Sequence, residues 1–175
     1  DLYTAWHAGK SYWKNFKLLN KYSIGIEISN PGHSNVYRSF LPNQIKSIKK
    51  LLKFLIKKYK INPSNVLGHS DISPDRKKDP GEKFPWKELA NKKLSQWHRL
   101  RPLYTEKYRK IILSQKEKEG FLSNLYKIGY CKIKKVNANK NMKYLTIAFQ
   151  RRYRPELVNG KIDKECFLIT KNLVN

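Results

Sequence analysis

The apolar residues of this chain change period along its length, and that change limits the fold more than any other feature. Residues 22–29, Tyr-Ser-Ile-Gly-Ile-Glu-Ile-Ser, alternate. Ile24, Ile26 and Ile28 share one face, and Ser23, Gly25, Glu27 and Ser29 the other, which predicts a strand ended by the turn Asn30-Pro31-Gly32. Residues 42–60 switch to three- and four-residue spacing. Ile45, Ile48, Leu52, Leu55 and Tyr59 make a stripe, Leu51 and Ile56 widen it, and Pro42 suits the first turn of a helix. Residues 65–69, Asn-Val-Leu-Gly-His, read as a short buried strand, and Pro85 opens a further helix to about Leu94. Strand, helix, strand, helix predicts an α/β domain, a mixed sheet flanked by helices.

From about Glu117 the period is purely helical. Phe121, Leu122, Leu125 and Ile128 make one stripe, closed by Gly129; Met142, Leu145, Ala148 and Phe149 make a second; residues 163–174 offer a third. The expected organisation is therefore a first domain over residues 1–96, a polar basic linker over 97–116 and a small three-helix domain over 117–175. Residues 1–20 read as loop with a short helical turn.

Charge narrows the partners. The net charge is +25, and 30 of the 38 basic residues are Lys. Residues 1–100 carry +13 and residues 101–175 carry +12, so no stripe is concentrated for reading a groove. Scattered Lys argues against nucleic acid and fits a basic surface that can sit on any anionic polymer. Lys46, Lys49, Lys50, Lys53, Lys57 and Lys58 fill the outer faces of the 42–60 helix, as a solvated helix face would. No run approaches the roughly 20 apolar residues of a membrane span. Cys131 and Cys166 lack a CxxC partner, which excludes a Cys-rich zinc site and leaves a pair or two free thiols open.

Two places carry chemistry. Glu27 lies among isoleucines, where it is either an edge residue facing water or a carboxylate held in a cleft for proton transfer. His69 ends the second predicted strand, and Asp79, ten residues on, is fixed before Pro80-Gly81. Imidazole nitrogen and carboxylate oxygen are both zinc donors, although a lone His is also commonly satisfied by backbone. His7 reads as ligand, substrate neighbour or structural loop residue. His33 reads as solvent-facing loop, and His98 carries no assignment.

Five blocks occur in order: Ala5-Trp6-His7-Ala8-Gly9, Ser23-Ile24-Gly25-Ile26-Glu27-Ile28, Gly68-His69-Ser70-Asp71-Ile72, Arg76-Lys77-Lys78-Asp79-Pro80-Gly81 and Phe84-Pro85-Trp86. The series resembles the type 2 N-acetylmuramoyl-L-alanine amidases, relatives of the peptidoglycan-recognition proteins. The resemblance implies a Zn2+ hydrolase that cuts the amide between the muramic acid lactyl group and L-alanine of peptidoglycan or muropeptides. It implies His69 and Asp79 as the second and third zinc ligands, Glu27 as the catalytic glutamate and Lys77 as the basic residue beside the metal. Trp6, His7 and Trp86 are expected near the groove, as substrate walls or as packing. The resemblance also implies a first zinc-binding His on a strand upstream of Ala5, so the sequence reads as N-terminally truncated and lacking its first strand.

Ile147-Ala148-Phe149-Gln150-Arg151-Arg152-Tyr153-Arg154-Pro155, with Gly160 and Asp163, resembles the small three-helix peptidoglycan-binding domain. Such a module raises the local concentration of enzyme on a polymer. A cell-envelope location follows from the resemblance. A peptidoglycan-binding protein without hydrolysis is the alternative, and a nucleic-acid binder rests on charge alone.

Overall fold

The computed structural model describes residues 3–33, 36–133 and 137–175. Strands β1 (Tyr12–Trp13) and β2 (Phe16–Lys17) form an antiparallel hairpin in which Tyr12 faces Lys17 and Trp13 faces Phe16. Seven α-helices follow among the described residues: α1 (Pro42–Tyr59), α2 (His69–Ile72), α3 (Trp86–Asn91), α4 (Pro102–Thr105), α5 (Gln115–Ile128), α6 (Ala138–Tyr153) and α7 (Lys164–Val174). The architecture is thus mixed, helices around a small antiparallel sheet, with three helices closing the chain.

Local chemistry sets the helix ends. Pro42 stands in the first turn of α1, and Lys60 ends it in the left-handed conformation at φ 53°. Ser114 and Glu117 form a reciprocal cap on α5: the Ser114 amide donates to the Glu117 carboxylate at 3.0 Å. Asp163 caps α7 by accepting from the Cys166 amide at 2.9 Å.

Both expected strands depart from expectation. Residues 23–30 make no ladder with any described residue; Ile28 packs on a core, but Ile24 and Ile26 are 50% and 36% exposed. Residues 63–65 form a 3-10 turn, and His69 begins α2 rather than ending a strand. Alternation specifies faces, but a strand also needs a partner for its backbone groups, and no described segment supplies one here.

The core has two parts. Ile45, Ile48 and Leu52 of α1 pack with Phe84, Trp86, Leu89 and Leu94. The larger part joins Ala8, Trp13 and Leu19 to Phe121, Leu125, Ile128 and Tyr130, and then to Leu145, Phe149, Tyr153, Cys166 and Ile169. The N-terminal segment and the last three helices therefore share one interior. Trp97 packs against both parts. The stretch expected as a linker is likewise built in: Thr105 and Arg109 both bond the buried Glu165 carboxylate, at 3.1 Å and 2.8 Å. Cys131 and Cys166 are free thiols, and burial pushes Cys166 up to about 12.

His98 is also packed. Its ring stacks on Trp97 at 5.0 Å, and Nε2 donates to the Tyr153 carbonyl at 3.1 Å, while Nδ1 is buried without a partner. Burial holds its pKa below the ordinary value, with the Tyr153 bond opposing. The folded state therefore takes up a proton less readily than the unfolded chain. Its contribution is complete above pH ~6.5 and is lost as the pH falls from there toward the lower folded-state pKa. The urea midpoint is expected to drop between pH 7.5 and pH 5.5, and His98→Gln to flatten that dependence; an unchanged slope in the variant removes His98 from the account. Phe149→Ala, at a fully buried position, is expected to cost about 3–5 kcal/mol. Fluorescence and circular dichroism should then report one coincident transition, as a shared interior requires; two separate transitions would contradict it.

Candidate active site

The short helix α2 carries the first chemical group. His69 stands at its start, and its ring reaches two partners: Nδ1 lies 3.1 Å from Asp79 Oδ2, and Nε2 lies 3.2 Å from the Ala8 carbonyl. A carbonyl only accepts, so Nε2 carries the proton. In the neutral ring, Nδ1 then turns a lone pair toward the carboxylate. Nδ1 and the Asp79 carboxylate can then both turn lone pairs on one cation. Two donors at Zn–ligand distances of about 2.0–2.1 Å in a tetrahedral site lie about 3.3 Å apart. The His69–Asp79 spacing and the backbone carbonyl on the far ring nitrogen therefore fit a zinc-binding pair. Among the described residues no group of three or more His, Cys, Asp or Glu gathers for a metal.

Asp79 is placed by the turn that follows it. Its carbonyl accepts from the Ser70 amide at 2.9 Å, which ties it back to α2. Burial pushes its carboxyl upward, but the His69 hydrogen bond, a backbone amide and the positive fields of His69 and Lys77 outweigh that and hold it below the ordinary range. Lys77 is half-buried, and its amide donates to Ser73 at 3.0 Å.

A second cluster clamps the same turn. The Tyr37 hydroxyl donates to the Pro80 carbonyl at 2.8 Å and accepts from the Lys83 amide at 3.0 Å. His33 stacks on Tyr37 at 4.3 Å and bonds Glu82 at 3.0 Å. The expectation of a solvent-facing His33 is thus corrected: the ring is half-buried because Tyr37 and Glu82 enclose it. Burial favours the neutral form of Glu82, but the His33 bond, a backbone amide and the charges of His33 and Arg151 hold its pKa low.

The other expected site residues are placed as follows. Glu27 is exposed, on a segment that makes no ladder with any described residue. Gly25, two residues earlier, lies against His7 so closely that an added Cβ would sit 2.7 Å from that ring. The His7 ring nitrogens contact the Ala5 carbonyl at 3.0 Å and Ser23 Oγ at 2.9 Å, so both are engaged away from the His69–Asp79 pair. Trp6 is 90% exposed. Trp86 is a core residue, 5% exposed, with the Arg152 guanidinium 4.2 Å over its ring; of wall and packing, the structure has packing.

Sequence reasoning assigned no role to Asn20, whose side-chain carbonyl accepts from the amides of His7, Ala8 and Gly9 and so shapes the loop that meets His69. It assigned none to Asp71, which is 1% exposed and bonds Arg152 at 2.7 Å and Tyr130 at 2.6 Å. An acid two residues after a candidate ligand was the available signal.

The family model for N-acetylmuramoyl-L-alanine amidase matches residues 1–82. The solved structure of the N-acetylmuramyl-L-alanine amidase AmiD from E. coli, in complex with the substrate anhydro-N-acetylmuramic acid-L-Ala-D-gamma-Glu-L-Lys, superposes with a TM-score of 0.84 at 35% identity, covering 98% of this chain and 68% of that one. The chain belongs to the N-acetylmuramoyl-L-alanine amidase family. AmpDh3 from Pseudomonas aeruginosa, solved with anhydromuramic pentapeptide, gives a TM-score of 0.82 at 32% identity, covering 98% and 69% of the two chains. The AmiD sequence of Escherichia coli K12 is 34% identical over 97% of this chain, which spans 63% of that relative. The 1,6-anhydro-N-acetylmuramyl-L-alanine amidase AmpD of Haemophilus influenzae is 39% identical over 83 residues, 47% of this chain and 43% of AmpD. The likeness to AmiD and AmpDh3 thus covers nearly all of this chain, α5, α6 and α7 included.

Within this member of the family, Gly81 tests the clamp on Asp79. Its φ is +82°, and an added Cβ would sit 2.4 Å from the Tyr37 hydroxyl. Gly81→Ala is expected to cost about 1–3 kcal/mol in urea unfolding, through the left-handed backbone and the displaced tyrosine. An unchanged midpoint would show that the turn does not depend on this close approach.

Proposed function

We propose that this chain carries out zinc-dependent hydrolysis of the amide between N-acetylmuramic acid and L-alanine in peptidoglycan or muropeptides. The observation that carries the reading is the His69–Asp79 pair, 3.1 Å apart, with the Ala8 carbonyl fixing the far nitrogen of the imidazole. The naming of AmiD and AmpD as muramoyl-L-alanine amidases, and the muropeptide in the AmiD and AmpDh3 structures, support the substrate class. A cell-envelope location follows from that substrate.

His69 and Asp79 would hold the zinc, which when bound lowers the pKa of water toward about 7 and polarises a carbonyl. Glu27, on an exposed segment, has the carboxylate to accept a proton from the attacking water and return it to the leaving L-alanine nitrogen. Lys77, close enough to bias the Asp79 carboxyl, has the charge to stabilise the oxyanion that forms as water adds to the carbonyl. Trp6, open to solvent, offers an apolar wall to the substrate. The basic surface suits a polymer rich in carboxylates.

A second reading, a peptidoglycan-binding protein without hydrolysis, is favoured by one observation: two metal donors gather among the described residues where a catalytic zinc takes three from protein. Mass spectrometry of muropeptides incubated with the chain, with and without zinc, separates the two. The amidase reading expects free stem peptide only with zinc. It also expects Glu27→Ala to lower kcat about 10²–10⁴-fold while leaving sedimentation with isolated wall intact. Wall binding with no released peptide under either condition selects the second reading.

A further inference from the structure

The helical module at the C-terminus resembles a polymer-binding domain, yet one of its two most buried charges points into the first half of the chain. Arg152, 1% exposed, donates through Nη1 to Asp71 Oδ2 at 2.7 Å and through Nη2 to the Val66 carbonyl at 2.9 Å. Tyr130, also 1% exposed, donates its hydroxyl to Asp71 Oδ1 at 2.6 Å. Burial first, and the Asp71 charge next, hold that phenol well above its ordinary range, so it remains a donor. Asp71 Oδ2 also accepts from the Gly68 amide at 2.8 Å. Both oxygens of one carboxylate are therefore held, two residues after His69.

Residues two apart on a helix point to roughly opposite sides. α2 has four residues, too few to persist without tertiary contacts. Its inner side is gripped at Asp71 by Arg152 of α6 and by Tyr130, just past the Gly129 that ends α5; its other side presents His69 to Ala8 and Asp79. A shift of the turn moves Nδ1 directly, and a two-donor site tolerates little change in spacing.

We propose that Arg152 and Tyr130 are positioning residues: through Asp71 they lock the α2 turn so that His69 faces Asp79 at ligand spacing. The helical module thus sets the geometry of the site. This rests on the amidase reading above for its consequence in metal binding, but not for the locking itself.

The test uses the full chain and two readouts. One is amide exchange at Gly68 in metal-free protein, followed by NMR. The other is the Zn2+ dissociation constant from chelator competition. Tyr130→Phe removes one oxygen and keeps the ring; Arg152→Lys keeps the charge and loses the two-pronged contact. Arg154→Lys is the control, because Arg154 pairs with Asp163 and Glu165 inside the module and not with α2. In Tyr130→Phe and Arg152→Lys, Gly68 exchange should rise at least about tenfold, and zinc affinity should fall about 10–100-fold. Arg154→Lys should leave both within about twofold. Gly68 exchange unchanged in Tyr130→Phe, or raised equally by Arg154→Lys, overturns the proposal. If the unaltered chain and His69→Ala bind zinc equally poorly, the amidase reading fails, and the exchange arm still decides the locking.

Discussion

The buried ion pair between Asp71 and Arg152 is the contact on which the rest of the structure depends. Removing two charges from water costs several kcal/mol per ion unless hydrogen bonds replace the lost solvent. Here Asp71 accepts from Gly68, Tyr130 and Arg152, and Arg152 also reaches Val66 and lies over the Trp86 ring. Breaking such a pair by removing one partner typically costs about 3–5 kcal/mol, because the survivor stays buried and unpaired. The two halves of the chain are thereby committed to one another. Trp86 links the pair to the α1 core, and Tyr130 and Tyr153 link it to the larger core.

A second charged cluster finishes that commitment. Arg109 and Arg154 face Asp163 and Glu165, and Thr105 adds a hydrogen bond to Glu165. Asp163 also caps α7. The stretch between the two expected domains is therefore bonded into the C-terminal helices and does not behave as a tether. Its polar, basic composition hid this, because a charge that will be buried against a distant acid looks the same in sequence as one left in water.

The helices were legible because their signal is local. The three- and four-residue spacing over 42–60, 117–128 and 163–174 matched α1, α5 and α7 within a few residues, and α6 extended beyond its apolar stripe to Gln150, Arg152 and Tyr153, which are also buried. The strands were not legible, since alternation in 22–29 names two faces but not the neighbour that must bond the backbone. The same division holds at the site. His69 and Asp79 could be brought together because only ten residues separate them, and the family resemblance implied them as ligands. The His33–Tyr37–Glu82 clamp joins residues 49 positions apart, and the Asp71–Arg152 pair spans 81. No local pattern announces such contacts. Trp86 was ambiguous for a related reason: an aromatic beside a motif serves equally as wall or as core.

The polar residues that give the C-terminal module its family look are engaged in holding it together. Gln150 donates to Asn159 and to the Lys161 carbonyl, and accepts from the amides of Asn159 and Gly160, closing the loop before α7. Arg152 is taken by Asp71 and Val66, and Arg154 by Asp163 and Glu165. All three side chains are 0–1% exposed, so none is available to a polymer at the surface. A ligand of this module would meet its outer residues, such as Lys140, whose ammonium lies 5.8 Å from the Tyr144 ring centroid. The residues that carry the sequence resemblance of this module and the residues that would touch a ligand are therefore different sets. Recognition of the motif is evidence for the fold of the module, and through Arg152 for the geometry at His69, before it is evidence for binding.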